Sequence, residues 1–270
     1  MDIAADRIWI DFRTLRETTP LVLSLTNSVV REFTANALLA LGASPIMSDA
    51  FEEIAELVGI AGAVNLNIGT PTPRSAEAMA LAAAAAKAKG IPIALDPVAV
   101  GATQMRRKLV DRLLSIATPT VIRGNQAEIA ALAGLSSVAR GVDAVGNLEQ
   151  ASAVVRQLAK QTGAVVVASG ATDYVSDGDT VIAIENGHPL MARTTGSGCV
   201  ATAVIAAFLP ISPHPFSAAI SGMVVMDLAG EIAVDHSRTD GPGSFRVRFL
   251  DAFDKLDPEH IEKRMKLCRF

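Results

Sequence analysis

The chain has 270 residues, 50% of them hydrophobic, and a mean hydropathy of +0.36, so it can bury a large core and sits at the upper end of what one domain usually holds. A formal net charge of -4, an isoelectric point near 5.6 and scattered Lys and Arg exclude the basic footprint of a nucleic-acid binder. Cys199 and Cys268 are the only cysteines, too few for a multi-bridge secreted framework and without C-x-x-C spacing, so a reducing cytoplasm is the expected compartment.

In chain order, the first turns carry Asp2, Asp6, Arg7 and Asp11 where a signal peptide needs a basic start and an apolar run, so export is not expected. A strand is expected over residues 21–25, then helices over 33–41 and 51–58. The alternation continues with a strand over 64–68, a helix over 75–89, a strand over 91–95 and a helix over 105–116. A strand over 120–122, helices over 127–133 and 148–161 and a strand over 165–168 follow. Short β-branched runs between alanine- and leucine-rich runs mark a mostly parallel α/β sheet. Strands over 173–176 and 180–184, around the Asp177-Gly178-Asp179 turn, add a small antiparallel tail. Helices dominate from 198 to 234. The apolar stretch 218–234 is broken by Asp227 and Glu231 and reads as a buried helix, short of a bilayer span. Residues 82–86 read as a small-residue packing face, and no repeat or low-complexity linker divides the chain, so one domain over 1–270 is expected.

In parallel sheets, ligands sit outside the carboxyl ends of the strands. Five polar groups follow the expected strands and would share one edge: Thr26-Asn27-Ser28, Gly69-Thr70, Asp96-Pro97, Arg123-Gly124-Asn125 and Ser169-Gly170. A sixth candidate is Gly196-Ser197-Gly198-Cys199, two glycines and a thiol directly before an apolar helix. Such a start presents unpaired backbone N–H groups to an anion and would lower a thiol pKa; otherwise it is a tight turn with a buried cysteine. Asp96 and Glu128 together suit a magnesium ion that keeps water and phosphate ligands, or they serve as a helix cap and as half of a capping box with Asn125. Arg123 suits phosphate oxygens or is a solvated turn residue. Thr26-Asn27 and Gly69-Thr70 suit a small polar substrate or cap the following helices.

No Walker loop, no G-x-G-x-x-G after the first strand, no H-E-x-x-H and no G-x-S-x-G elbow occurs, and His188, His214, His236 and His260 lack ligand spacing. Nucleotide-triphosphatase, dehydrogenase, zincin and serine-hydrolase readings are therefore unsupported.

The strings Leu38-Leu39-Ala40-Leu41-Gly42-Ala43-Ser44-Pro45-Ile46-Met47, Asn67-Ile68-Gly69-Thr70, Leu95-Asp96-Pro97-Val98, Ile122-Arg123-Gly124-Asn125 with Glu128, Gly196-Ser197-Gly198-Cys199 and Gly241-Pro242-Gly243-Ser244-Phe245 resemble the hydroxyethylthiazole kinase family, a branch of the ribokinase-like kinases. The likeness covers about residues 20 to 250. It implies a ribokinase-like sheet flanked by helices on both faces, and transfer of the γ-phosphoryl of ATP to the primary hydroxyl of 4-methyl-5-(2-hydroxyethyl)thiazole in thiamine synthesis and salvage. It also implies Mg²⁺ and a homotrimer with sites between subunits, while charge and hydropathy make a nucleic-acid or membrane partner unexpected. By likeness, Arg123, Ser169 and Asn125 bind ATP, while Asp96 and Glu128 manage Mg²⁺. Met47, Asn27, Gly69, Thr70 and Gly196 shape the thiazole site, Met47 coming from a neighbouring chain. Gly196, Gly198 and Cys199 form the catalytic anion hole, with Cys199 where most ribokinase-like kinases carry an Asp. Phosphoryl transfer is dominated by positioning and charge neutralisation, so a thiol is tolerable there.

Two positions depart from the family pattern. Leu23 stands where a polar group is usual and is expected to point into the core. Ala168-Ser169-Gly170-Ala171-Thr172-Asp173 replaces V-T-G-E-x-D, keeping a hydroxyl at Ser169 but removing a carboxylate at Ala171 from the nucleotide side. The rival readings are a sibling kinase of another heterocyclic alcohol such as hydroxymethylpyrimidine, an ATP-dependent repair hydro-lyase on the same fold, and a non-catalytic thiazole-binding homologue.

Overall fold

A computed structural model describes residues 4–135, 148–235 and 241–270. Helix α1 (Ala5–Thr18) precedes β1 (Leu21–Leu25), α2 (Arg31–Leu41), β2 (Ser44–Met47), α3 (Ile54–Ile60) and β3 (Ala63–Asn67). Then come α4 (Pro73–Lys89), β4 (Ile93–Asp96), α5 (Gln104–Ile116), β5 (Val121–Asn125), α6 (Gln126–Leu132) and α7 (Leu148–Thr162). The remaining elements are β6 (Val165–Ser169), β7 (Asp173–Ser176), β8 (Val181–Ile184), α8 (Pro189–Ala192), α9 (Ser197–Phe208), α10 (Pro215–Asp235), α11 (Pro242–Lys255), α12 (Pro258–Arg264) and β9 (Leu267–Arg269).

These strands form one sheet in the order β2-β1-β3-β4-β5-β6-β7-β8-β9, parallel from β2 to β6 and antiparallel from β6 to β9. The parallel half follows from helical crossovers, because each β-branched strand is followed by a chain long enough to return over the sheet. One apolar core joins a sheet face to α1, α2, α9, α10 and α11, and a second joins the opposite face to α3–α7. Leu23 is fully buried in the second, as its strand alternation predicts. Ala82, Ala83 and Ala86 are likewise buried, letting α4 lie close to its neighbours. Thr72, whose side chain accepts from the Ser75 N–H, and Pro73 start that helix, and Gly90 with φ 68° ends it.

Helix α10 is long and apolar enough to cross a membrane by length and composition, contrary to the reading that it falls short. Its burial among α1, α9 and α11, rather than any shortfall, makes it a core helix. The sequence signals also miss β2 and β9. Strand β2 is only four residues, Ser-Pro-Ile-Met, half-buried throughout, without alternation and with a proline that only an edge strand tolerates. Strand β9 pairs with β8 and extends the antiparallel edge beyond the expected tail.

Candidate active site

All five polar groups expected after strands do meet at the carboxyl edge of the parallel strands. Asp96, Arg123, Asn125 and Ser169 lie among the last residues of their strands rather than beyond them. The register sets Asn67 beside Asp96 and Asn125 beside Ser169. Beneath this edge lies a cavity of about 700 Å³ lined by Asp96, Arg123, Asn125, Glu128, Ser169, and the Gly196–Cys199 turn, with Ala171, Asp173, Met191, Met223 and Asp227 farther along its wall. His188 is the one described histidine in that wall, and His236 lies outside the described residues.

Gly196 is the N-cap of α9, with φ 96°, and no side chain caps the turn. A Cβ at Gly196 would stand 2.9 Å from Val30 Cγ1 and 3.1 Å from Phe33 Cδ1, so both the backbone twist and the close packing demand glycine. The Ser197 N–H donates to the Thr194 carbonyl at 3.3 Å, so the N–H groups of Gly198 and Cys199 are the ones this turn can offer to a ligand, with the positive end of the helix dipole behind them. Arg123 locks this turn to the neighbouring strand: Nη1 donates to the Gly198 carbonyl at 2.7 Å and Nη2 to Ser169 Oγ at 2.6 Å. Its Nε–H is buried with no hydrogen-bond partner among the described residues, so the guanidinium keeps unspent donor capacity. It is no solvated turn residue.

Asp96 is buried, and its Oδ2 accepts from Asn67 Nδ2 at 2.7 Å and Thr202 Oγ1 at 3.1 Å. Burial, opposed by Arg123 and assisted by Glu128, pushes its pKa up to about 7. It caps no helix, since Thr103 caps α5. Glu128 and Asn125 do form the capping box of α6: Asn125 Oδ1 accepts from the Glu128 N–H at 2.9 Å and Glu128 Oε2 from the Asn125 N–H at 2.8 Å. Glu128 Oε1 accepts from the Ala99 N–H at 2.7 Å, holding the loop after β4 where Ala99 sits at φ 54°.

A magnesium ion fits this donor set in a limited way. Asp96 Oδ1 has no hydrogen-bond partner among the described residues and is a hard oxygen on the cavity wall. Both Glu128 oxygens already hold backbone N–H groups, and no cluster of three or more His, Cys, Asp or Glu among the described residues makes a metal cage. That is the pattern for an ion completed by water and phosphate oxygens.

Cys199 departs from the expected activated thiol. Burial and the nearby Asp96 carboxylate push its pKa up to about 11, outweighing the opposing pull of Asn67, Asn27 and Arg123, so the thiol is protonated at neutral pH. Asn27 Nδ2 donates to its Sγ at 3.4 Å and to Asn67 Oδ1 at 2.8 Å. Asn27 Oδ1 accepts from the Val29 N–H at 3.1 Å, so this residue shapes its own loop and does not cap α2, whose N-cap is Val30. Gly69 lies against the Asn27 side chain, 2.6 Å from Nδ2 to where a Cβ would be. Thr70 Oγ1 accepts from the Ser28 N–H at 3.2 Å and leaves the capping of α4 to Thr72. Met47, at the end of edge strand β2, is half-buried and outside the lining of the cavity.

The sequence assigns several structural contributors no role, although Asn67 opens one of the family strings. Asn67 joins Asn27 to Asp96. Arg106, on α5, donates to the carbonyls of Ile68, Val98 and Gly69 at 2.7 to 2.8 Å and ties together the loops after β3 and β4. Asp173 and Asp227 are both buried on the cavity wall, and the carboxyls are raised above the usual range by desolvation, Asp227 also by its closeness to Asp173. Asn67, in a family string and at the end of a strand, and Asp227, a carboxylate inside an apolar helix, both carry a signal; Arg106, one of several arginines on α5, does not.

The model of the hydroxyethylthiazole kinase family matches residues 12–259. A hydroxyethylthiazole kinase of Nitratidesulfovibrio vulgaris (strain DSM 19637 / Miyazaki F) is 44% identical over 264 residues, covering 98% of each chain. One from Granulibacter bethesdensis is 49% identical over 243 residues, 90% of this chain and 88% of the other. The solved structure of a hydroxyethylthiazole kinase protein from Pyrococcus horikoshii OT3 superposes with a TM-score of 0.90 at 37% identity, covering 98% of this chain and 99% of that one. A pyridoxal kinase from Staphylococcus aureus, with a TM-score of 0.65 at 15% identity over 93% of this chain and 99% of its own, shares the ribokinase-like fold. With the family match spanning most of its length and these full-length relatives beside it, the chain belongs to the hydroxyethylthiazole kinase family.

Proposed function

We propose that this enzyme transfers the γ-phosphoryl of ATP to the primary hydroxyl of 4-methyl-5-(2-hydroxyethyl)thiazole, giving the thiazole phosphate used for thiamine. The observation that carries the reading is Arg123, which bridges the carbonyl of Gly198 in the uncapped α9 turn to Ser169, on the wall of a cavity that also holds Asp96. A permanent cation and free helix N–H groups on one cavity are what a loose, charge-spreading phosphoryl transition state requires.

In this reading Arg123 and Ser169 hold the nucleotide phosphates, with Asn125 beside them at the end of β5. Gly196 and Gly198 keep the anion hole open. Asp96 would hold Mg²⁺ directly and Glu128 through water; the ion, when bound, neutralises phosphate charge. Asn27, Gly69, Thr70 and Gly196 orient the acceptor alcohol, and Met47 is supplied to it by a neighbouring chain of a homotrimer. Cys199, with its thiol pushed up to about 11, positions the reacting group and takes no proton at neutral pH. One kinase domain spans the chain, in keeping with a single continuous sheet, and the working compartment is the cytoplasm.

The test mixes purified protein with Mg²⁺-ATP and the hydroxyethylthiazole, follows ADP release and identifies the product by mass, with hydroxymethylpyrimidine as the competing acceptor. Thiazole phosphate formed only with the first alcohol is the expected result. Phosphorylation of the pyrimidine instead, or no ADP from folded protein, overturns it.

A further inference from the structure

We propose that Asn67 is a positioning residue whose one carboxamide sets both the acceptor-side amide of Asn27 and the carboxylate of Asp96; this rests on the kinase reading above. Asn67 is buried, at 1% exposure, and ends β3 in register with Asp96. Its orientation is settled by backbone donors. The Gly69 N–H donates to Asn67 Oδ1 at 2.9 Å, which leaves Nδ2 to face Asp96 Oδ2 at 2.7 Å. The Val29 N–H donates to Asn27 Oδ1 at 3.1 Å, which leaves Asn27 Nδ2 to face Asn67 Oδ1 at 2.8 Å and Cys199 Sγ at 3.4 Å. Neither amide can flip without pairing like with like.

The consequence is geometric. Asp96 Oδ2 is committed to Asn67 and Thr202, so its other oxygen alone is presented to the cavity. On the other side, Asn27 and the Gly69 backbone, both assigned to the acceptor, hang on the single oxygen Oδ1 of Asn67. Both ends of the transfer are thereby referenced to one buried group at the end of a parallel strand. Angstrom-scale misplacement costs large factors in such reactions.

Two substitutions separate the arms. Asn67→Asp keeps an oxygen for Asn27 and Gly69 but puts a second carboxyl against Asp96, a pair that shares a proton near neutral pH and is therefore read at about pH 9, where ionisation sets acceptor against acceptor; Asn67→Ala removes both arms. Steady-state kinetics with the hydroxyethylthiazole, per folded protein by circular dichroism, should show kcat falling about a hundredfold in both variants. The acceptor KM should stay within about twofold in Asn67→Asp and rise about tenfold in Asn67→Ala. A merely structural role would lower the folded fraction and leave this split absent. Equal KM changes in the two variants, or kcat within about threefold of wild type in Asn67→Asp, overturns the proposal. If Asn67→Ala does not fold, the near-isosteric Asn67→Asp carries the test. If the wild type makes no thiazole phosphate, the functional reading fails separately. Asn67 is then judged by calorimetry of ADP binding with and without Mg²⁺: the magnesium-dependent gain should fall about tenfold in Asn67→Asp, and an unchanged gain overturns the proposal.

Discussion

Helices α6 and α9 both begin at the carboxyl edge of the sheet, on the wall of one cavity, and complete their first turns in opposite ways. At α6, Asn125 and Glu128 satisfy each other's backbone N–H groups, and Glu128 takes the Ala99 N–H as well. At α9, Gly196 offers no side chain and the turn stays uncapped, held from outside by Arg123 on the Gly198 carbonyl. A self-satisfied start serves stability, whereas an open start braced by a buried cation is, under the function proposed above, the place for an anion. Similar sequence signals, a polar or glycine-rich turn before a helix, thus serve two ends.

The largest expected effect comes from removing the brace. Arg123→Ala should lower kcat about 10³-fold, and Arg123→Lys should recover little, because a point charge cannot span Gly198 and Ser169 as the planar fork does. Steady-state kinetics on folded protein checks this; a Lys variant near wild type would show that charge alone matters. Closing the open turn comes next. Gly196→Ala meets both a positive φ and a 2.9 Å contact with Val30, and should lower kcat about a hundredfold, while Glu128→Ala at the closed turn should cost about 1–2 kcal/mol in denaturant unfolding. Glu128→Gln keeps the shape but only one of the two acceptor oxygens, setting its NH2 against the Ala99 or the Asn125 N–H, so it should also cost about 1 kcal/mol; a kcat loss of about tenfold per folded protein in Glu128→Gln would assign the carboxylate charge a role with magnesium beyond the cap.

Within the open turn, Cys199→Asp should keep turnover within about tenfold of wild type, since positioning rather than basicity is asked of it. A folded but inactive variant would refute that view. The wild-type rate should also show no thiol ionisation between about pH 7 and 9, given a thiol near 11.

The smallest effect concerns the far wall. Asp227 has its carboxyl raised by burial and by Asp173, so the folded state holds protons that the unfolded chain releases. Stability attributable to it therefore falls as pH rises above the ordinary carboxylate range. Asp227→Asn should raise Tm at pH 8, with the gain shrinking toward pH 5; a gain independent of pH would mean that packing, not charge, is at issue.

Much of this was legible from residues alone. The βαβ alternation, the burial of Leu23 and the alanine face of α4 follow from periodicity, and the strand ends that carry Asp96, Arg123 and Ser169 follow from a parallel sheet having one ligand edge. Local signals failed where the element was too short to show a period, as in β2, β9, α8 and α12, or where the partner was distant, and periodicity also leaves the 14-residue helices α1 and α11, toward the two ends of the chain, unassigned. The capping box of Asn125 and Glu128 could be written down from their spacing, but not the Ala99 N–H that Glu128 also holds.

By itself the sequence determined the layered sheet, because hydrophobic period and crossover length are properties of consecutive residues. It also determined which polar groups reach the ligand edge. Only the tertiary structure decided what those groups are chemically. Cys199 has the sequence of an activated thiol and the surroundings of a half-buried neutral one, because desolvation and Asp96 outweigh Asn67, Asn27 and Arg123. Arg123 became a clamp, and Asn67 a junction, when residues 75 and 40 positions away came within hydrogen-bond reach. Electrostatics and hydrogen bonding depend on distance and burial, and neither is written in the spacing of a chain.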